Sequence, residues 1–339
     1  MTLSFDTFAD YQQAIATLPR ANDEAITAAQ TRQGQLTKPP GSLGRLEEIA
    51  IWMAGWQGEE KPVINHPACL IFAGNHGVAA LGVSAFPPEV TVQMVANFAA
   101  GGAAINQLTK AAGASLDVIA LDLDQPTQDF TQGAAMTEAE VLDAMAKGAA
   151  AIPDDADMLM LGEMGIGNTT AAAAVSMACL GGVSSDWVGR GTGVDDQGLT
   201  LKADVVNHGM TANADRINHG FGILSAFAGR EMAAIAGAVL AARHRRIPVL
   251  LDGFISTASA LPLFKDNPAA LDHILVSHRS QESGHANILD AINKSPILDL
   301  GLRLGEGSGA ATALPIVKSA LAAHNGMATF AEAGVSGAN

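Results

Sequence analysis

Short apolar runs that alternate with stretches of helical length constrain the fold of this 339-residue chain more than any other feature. Buried strands are predicted at residues 68–74, 116–124, 157–163, 247–253, 273–278 and 297–307. Helices are predicted between or after them at residues 89–99, 138–151, 169–180, 230–244 and 310–323. This alternation favours an α/β fold with a doubly wound, mainly parallel sheet and helices on both faces.

The two ends of the chain differ from this pattern. Apolar residues recur at helical spacing over residues 9–18, 23–31 and 44–56, and no strand is predicted there. We therefore expect a large α/β domain of residues 66–310. Residues 1–65 together with 311–339 are expected to form a small helical domain.

The charge and hydropathy pattern limits the possible partners. The formal net charge is −15, so most of the surface repels nucleic acid and anionic membranes. The longest apolar runs are shorter than the ~20 residues that cross a bilayer. The first residues are acidic in places and lack the continuous apolar segment of a signal peptide. These features predict a cytoplasmic protein that binds neither nucleic acid nor membrane.

Polar side chains follow most of the predicted strands. In a parallel sheet the carboxyl ends of the strands share one edge, where ligands bind. We therefore expect the loops of these residues to converge there: Asn75, His76, Glu163, Asp252, Gly253, His278, Arg279, Ser280 and Glu306. Glu306 is notable because it stands between two glycines.

Two glycine-rich stretches resemble nucleotide-binding motifs, but each lacks a feature that its motif requires. In "LGEMGIGNTT" the spacing fits a P-loop, but Asn168 stands where the lysine should be. "GEGSGA" fits a dinucleotide fingerprint, but too little chain follows it for the second strand. The first stretch still provides a backbone turn leading into a helix N-terminus, which suits one phosphate.

The cysteines and histidines of the sequence give little indication of a metal site or a disulfide. Cys69 and Cys179 lie in apolar surroundings and form no zinc pattern. His278 and His285 have a spacing that matches no helical or zinc arrangement. We expect no metal and no cofactor.

Seven long motifs carry a family resemblance that runs from about residue 30 to 315. They are "TKPPGSLGRLE", "FAGNHGVAALGVSAFPPEVT", "GEMGIGNTTAAAA", "GRGTG", "LDGFISTASAL", "SHRSQESGH" and "LGEGSGAA". The chain resembles the nicotinate-nucleotide:dimethylbenzimidazole phosphoribosyltransferases. The resemblance implies a homodimer with a doubly wound fold. It also implies transfer of phosphoribose from nicotinate mononucleotide to 5,6-dimethylbenzimidazole in cobalamin biosynthesis, giving α-ribazole 5′-phosphate and nicotinate.

The resemblance also implies roles for individual residues. Glu306 is expected to be the general base, and Glu163 to line the same site. Expected phosphate and nucleotide contacts are Gly165, Gly167, Asn168, Lys202, Gly253 and Ser280. The benzimidazole pocket is expected to include Ser84, Phe86, Gln93 and Leu304.

The chemistry is consistent with these residue types. Transfer from the β face to the α face of ribose is a single displacement with inversion at C1′, through an oxocarbenium-like centre that a carboxylate stabilises. A second carboxylate can accept the proton that the incoming benzimidazole loses.

Two other functions remain open: an ATPase that binds ATP through residues 162–169, and a catalytically silent carrier of benzimidazole. Nucleotide binding in magnesium would reveal the first, and the second would not need Glu306, Lys202 and the phosphate turn together.

Overall fold

The centre of the molecule is a parallel sheet of five strands. A computed structural model of the chain describes residues 3–336. The strands are β1 Pro67–Ala73, β2 Ser115–Ala120, β3 Met158–Met164, β4 Val249–Leu251 and β5 Ile274–Val276. All pairings are parallel, in the order β2-β1-β3-β4-β5. The predicted fold class is confirmed, and the reversal of strand order beside β1 places a ligand-binding crevice at the carboxyl ends of β1 and β3.

Helices precede, connect and follow the strands. Within residues 3–336 they are α1 Phe8–Ala16, α2 Asp23–Gln35, α3 Arg45–Gln57, α4 Glu89–Ala99, α5 Ala104–Ala112, α6 Glu138–Ala150, α7 Asn168–Leu180, α8 Asp196–Ala212, α9 Gly220–Phe227, α10 Arg230–His244, α11 Phe254–Asp266, α12 Gly284–Ala291, α13 Ser308–Gly326 and α14 Phe330–Ala333. The predicted helices at residues 89–99 and 230–244 coincide with α4 and α10. None of the helices in this part of the chain is both long and apolar enough to cross a membrane.

Alternate residues of each central strand pack on opposite faces of the sheet. In β1, Leu70 and Phe72 lie in one buried cluster, whereas Cys69 and Ile71 lie in the other. Helices α6, α7, α10 and α11 contribute to the first cluster, and α3, α5 and α13 to the second. Because both faces are covered, β1, β4 and β5 are apolar and buried throughout, which explains why short apolar runs predicted them well, whereas the edge strand β2 is partly exposed.

One predicted strand is wrong. Residues 297–307 form no strand, although Ile297 and Leu298 donate backbone hydrogen bonds to Val276 and Ser277 at the edge of β5. Beyond this contact the segment lies at the surface, and Leu300 and Leu304 are more than half exposed. Gly301 and Gly305 have φ of 71° and 79°, so the backbone leaves the extended conformation that a ladder requires.

The ends of the chain pack in two places. Helix α3 packs on α2 and α13, and α3 and α13 also cover one face of the sheet. Helix α1 lies elsewhere, since Phe8 and Tyr11 pack on Phe221 of α9 and the Tyr11 hydroxyl donates to Asp266 of α11. The division into domains of residues 66–310 and of 1–65 with 311–339 stays a prediction, and residues 1, 2 and 337–339 of it lie outside the described chain.

Candidate active site

A cavity of about 660 Å³ opens at the carboxyl ends of the strands. The loops predicted to converge there contribute Glu163, Gly253, His278, Ser280 and Glu306 to its lining, whereas Asn75, His76, Asp252 and Arg279 lie outside the lining. Eight of the twelve predicted site residues line it, in addition to His278: Phe86, Glu163, Gly165, Asn168, Gly253, Ser280, Leu304 and Glu306. The other four predicted site residues, Ser84, Gln93, Gly167 and Lys202, do not line the cavity.

The turn between β3 and α7 is built from backbone and one asparagine. Gly167 caps α7 with φ 96°, and Thr91 of α4 accepts a hydrogen bond from the N–H of Ile166 at 3.1 Å. The Asn168 side chain donates to the Glu163 carboxylate. Asn168 therefore orients a glutamate rather than replacing a P-loop lysine, which counts against the ATPase interpretation.

Glu163 is a buried carboxylate close to other acids. Only 5% of it is exposed. Burial, followed by the charges of Asp252 and Glu231, raises its pKa well above the ordinary value, while the bond from Asn168 opposes this shift. A positively charged group in the cavity would favour its ionised form.

Glu306 faces the same cavity from the segment before α13. It has φ 60°, a left-handed conformation that is rare for a residue with a side chain. Burial, and then the charge of Asp252, raises its pKa to about 7. A carboxylate with a pKa near neutrality is suited to accepting a proton.

Asp252, at the end of β4, holds the Glu306 segment in place. It is fully buried and accepts hydrogen bonds from the N–H groups of Gly307 at 3.1 Å, Gly309 at 2.7 Å and Ala310 at 3.0 Å. These are donors at the start of α13, which have no partner within the helix. The sequence placed Asp252 at this edge but did not reveal that its role is to fix the loop carrying Glu306.

Lys202 lies behind the cavity wall. Its ammonium donates to Thr169 Oγ1 at 2.9 Å and to the carbonyl of Gly189 at 3.0 Å, and the residue is buried. Burial lowers its pKa to about 8. Thr169 lines the cavity in the first turn of α7. The positive charge of Lys202 therefore adds to the positive electrostatic potential that this helix N-terminus presents to the cavity.

The loop after β5 is held by a neutral histidine. His285 Nδ1 accepts the N–H of Ser280 at 2.8 Å, and burial lowers the pKa of His285 to about 3. The imidazole therefore positions Ser280 at the cavity. Within residues 3–336, no group of three or more His, Cys, Asp or Glu side chains is arranged to hold a metal ion.

One wall of the cavity is apolar. Phe86 and Leu304 line it with 52% and 56% of their surfaces exposed. Ser84 lies just outside, where its hydroxyl is 3.1 Å from Thr192 Oγ1. Gln93 is exposed on α4, one turn after the lining residue Val90 and next to the lining residue Met94.

A buried pair of side chains, His76 and Glu231, packs against the β3–α7 turn. This pairing was not predicted from the sequence. His76 Nε2 lies 2.6 Å from Glu231 Oε1, and both side chains are at most 1% exposed. A Cβ at Gly165 or Gly167 would come within 3.4 Å of His76. The glycines of the turn thus allow it to lie directly on the histidine.

Comparison with known proteins agrees with this geometry. Residues 18–335 match the phosphoribosyltransferase family DBI_PRT. The nicotinate-nucleotide–dimethylbenzimidazole phosphoribosyltransferase of Jannaschia sp. (strain CCS1) is 56% identical over 331 residues, 98% of each chain. That of Ruegeria pomeroyi is 57% identical over 328 residues, 97% of each chain.

A solved structure extends the match to the fold. The crystal structure of the nicotinate-nucleotide–dimethylbenzimidazole phosphoribosyltransferase from Thermus thermophilus is 39% identical, with a TM-score of 0.87. The alignment covers 94% of this chain and all of that one. The chain therefore belongs to the nicotinate-nucleotide–dimethylbenzimidazole phosphoribosyltransferase family.

Proposed function

We propose that this chain is a pentosyltransferase that moves the 5-phosphoribosyl group of nicotinate mononucleotide to 5,6-dimethylbenzimidazole. The products are α-ribazole 5′-phosphate, a precursor of the lower nucleotide of cobalamin, and nicotinate. The observation that carries the proposal is the pairing of two buried carboxylates, Glu163 and Glu306, in one cavity beside a helix N-terminus backed by a buried lysine.

The phosphate end of the nucleotide lies against the start of α7. Backbone N–H groups there, together with the Thr169 hydroxyl, suit a phosphate. Lys202 supplies positive charge from behind Thr169, at a hydrogen-bond distance of 2.9 Å. Gly253 and Ser280 close this end of the cavity from the loops after β4 and β5.

Glu163 acts on the sugar. The pyridinium nitrogen of nicotinate mononucleotide and the developing oxocarbenium centre at C1′ are both positive. Either charge, brought beside Glu163, offsets the effects that raise its pKa and favours the carboxylate. The carboxylate in turn stabilises the cationic centre as the bond from C1′ to nicotinate breaks.

Glu306 acts on the incoming base. Dimethylbenzimidazole packs on the apolar wall of Phe86 and Leu304 and attacks C1′ through its unprotonated nitrogen. The new C1′–N bond forms on the face opposite the leaving nicotinate, which inverts the carbon. The proton on the other nitrogen passes to Glu306, and no proton acceptor outside the protein is needed.

The test is a product assay. The purified protein is incubated with nicotinate mononucleotide and dimethylbenzimidazole, and nicotinate and α-ribazole 5′-phosphate are separated by chromatography. Equal amounts of both products support the proposal. Binding of both substrates without product would instead indicate a silent carrier, and ATP hydrolysis in magnesium would indicate an ATPase.

We also propose a cellular location and an oligomeric state for the enzyme. Its nucleotide substrate carries a phosphate and a carboxylate, which do not cross membranes unaided, so we place the enzyme in the cytoplasm. Exposed apolar side chains at the cavity mouth, Phe86 and Leu304, suit contact with a second copy of the chain. We therefore also propose a homodimer, which light scattering after gel filtration would measure.

A further inference from the structure

Phe86 stands on a segment that forms neither helix nor strand. The Ala85 N–H donates to Thr192 Oγ1 at 3.1 Å, and the Phe86 N–H donates to Ser84 Oγ at 3.2 Å. The Ser84 hydroxyl is itself 3.1 Å from Thr192 Oγ1. Over residues 3–336, the backbone-to-backbone hydrogen bonds of the loops do not include these two N–H groups. Side-chain hydroxyls therefore hold this segment, and Thr192 ties it to a distant part of the chain.

The loop that carries Thr192 is itself anchored on both sides. The Gly191 N–H donates to Glu282 Oε1 at 3.0 Å, and the Gly191 carbonyl accepts a hydrogen bond from Arg303 Nη1 at 3.2 Å. Gly191 has φ 51°, and a Cβ there would lie 2.8 Å from Lys202 Nζ, so the backbone packs closely on the proposed phosphate end. The Thr192 hydroxyl thus has a fixed position from which it orients the neighbouring segment.

The position of Phe86 depends on this backbone anchor. The side chain lines the cavity with 52% of its surface exposed, so neighbouring side chains cover only part of it. A wall that is already ordered loses less conformational entropy when a ligand packs on it. A flat ligand on this wall also excludes water from the hydroxyls behind it, which strengthens their hydrogen bonds.

We propose that Thr192 is a positioning residue whose hydroxyl fixes residues 84–86, so that Phe86 is in place when the incoming base binds. The inference rests on the proposed function, in which dimethylbenzimidazole packs on Phe86 and Leu304. Thr192 acts through Phe86 and takes no part in the chemistry at C1′. The hydroxyl is needed, and not only the branched shape, because the Ala85 N–H requires an acceptor.

The test is steady-state kinetics with Thr192→Val and Thr192→Ser. Valine keeps the branched shape of threonine but accepts no hydrogen bond from the Ala85 N–H. We expect Thr192→Val to raise the KM for dimethylbenzimidazole about two- to tenfold, the range for loss of one neutral hydrogen bond. Its kcat and its KM for nicotinate mononucleotide should stay at the wild-type values, because Glu163, Glu306 and Lys202 are unchanged. Thr192→Ser should behave as wild type, because it retains the hydroxyl.

A double variant shows whether Thr192 acts through Phe86, since Thr192 lines the cavity too. Phe86→Ala removes the aromatic ring that the hydroxyl positions. Adding Thr192→Val to Phe86→Ala should therefore raise the KM for the base no further. Two effects that multiply would overturn the inference and give the Thr192 hydroxyl a direct contact with the base. An unchanged KM in Phe86→Ala alone would overturn it as well, since no wall would then need positioning.

Thr211→Val is the matched control. Thr211 is exposed on α8, outside the cavity lining, and its hydroxyl donates to the carbonyl of Asn207 in the same helix at 3.1 Å. The same substitution is thus made where no loop is held. Both KM values should equal those of wild type, and a raised KM for the base here would overturn the inference in favour of a nonspecific effect of losing a surface hydroxyl.

The remaining outcomes are equally decisive. A higher KM for nicotinate mononucleotide in Thr192→Val would overturn the inference and place Thr192 at the phosphate beside Gly191. An unchanged KM for the base in that variant, even with a lower melting temperature, would overturn it while product formation by wild type keeps the proposed function intact. A wild-type protein that forms neither product would remove the proposed function and this inference with it.

Discussion

At the residue scale, the first prediction concerns Glu306. Glu306→Gln keeps the size of the side chain but cannot accept a proton at neutral pH. We expect kcat to fall by ~10²–10⁴-fold, the usual contribution of general-base catalysis. Binding of nicotinate mononucleotide should persist, because Thr169 and Lys202 are unchanged. Steady-state kinetics with both substrates measures the effect.

A structural role for Glu306 would give a different result. Its left-handed backbone precedes α13, so a change that only disturbed the loop would lower the melting temperature and spare turnover per folded molecule. Measuring melting temperature and kcat on the same preparation separates the two cases. A kcat within about threefold of wild type would rule out the general-base role, since that lies well below the contribution expected of a base.

The second prediction concerns pH. Glu306 must be ionised to accept a proton, and its pKa in the free enzyme is raised to about 7 by burial and by Asp252. The kcat/KM for dimethylbenzimidazole should therefore rise as pH increases through about 7 and level off above it. Asp252→Asn removes a neighbouring negative charge, so the pKa of Glu306 falls and the rising limb moves to lower pH.

The pH profile distinguishes this electrostatic effect from a loss of structure. Asp252 also accepts three backbone hydrogen bonds, which an amide reproduces only in part. Lower activity with an unmoved limb would mean that Asp252 only holds the loop. Folding of the variant is monitored by circular dichroism across the same pH range.

Single site residues could be predicted from the sequence where the local motif contains a reactive side chain. Glu163 and Glu306 were found because each follows an apolar run and stands directly after a glycine. The partners of these residues could not be predicted, because they come from distant parts of the chain. Asp252 contacts the start of α13 more than fifty positions away, and His76 pairs with Glu231 of α10, more than 150 positions away.

At the element scale, the start of α7 and Lys202 of α8 should act together. Lys202→Ala removes the charge behind Thr169, so the affinity for nicotinate mononucleotide should fall by ~1.5–3 kcal/mol, the range for a charge-assisted hydrogen bond. Burial lowers the pKa of Lys202 to about 8, so wild-type affinity should also weaken as pH rises past that value. Calorimetry at several pH values measures both effects.

Dimethylbenzimidazole alone is the control ligand for Lys202. It is uncharged near pH 8, and its apolar wall of Phe86 and Leu304 lies outside the Lys202 contacts. Its affinity should be unchanged in Lys202→Ala. Equal weakening of both ligands would show that Lys202 supports the fold rather than the phosphate site.

Elements were predictable where burial makes the pattern strong. Strands β1 and β3 are covered on both faces, so their short apolar runs clearly indicate buried strands. Residues 297–307 look equally apolar but contain glycines at positive φ and run along the surface beside the cavity. Leu302 and Leu304 are explained by the cavity wall, and a pattern of hydrophobicity cannot separate that role from a strand.

At the scale of the whole molecule, one arginine joins the two ends of the chain. Arg32 of α2 donates to the carbonyls of His324 at 2.8 Å, Asn325 at 3.0 Å and Met327 at 3.1 Å. These carbonyls lie at the carboxyl end of α13, where helical partners run out. The His324 ring is 2.8 Å from Gln33 as well, so α2 and α13 are fixed together. The predicted small domain of residues 1–65 and 311–339 depends on this junction.

The last prediction tests whether that domain is stable by itself. Arg32→Met keeps much of the buried volume and leaves the carbonyls without their charged donor, so the free energy of unfolding should fall by ~2–4 kcal/mol. Helices α3 and α13 share a buried cluster with β1 and β3, so their loss exposes the sheet. We therefore expect one cooperative urea transition at a lower midpoint, seen alike by far-ultraviolet circular dichroism and by tryptophan fluorescence. Two separate transitions would show instead that the ends of the chain unfold as an independent domain. The KM for nicotinate mononucleotide, measured without urea, should stay at the wild-type value, because Arg32 is remote from the cavity lining.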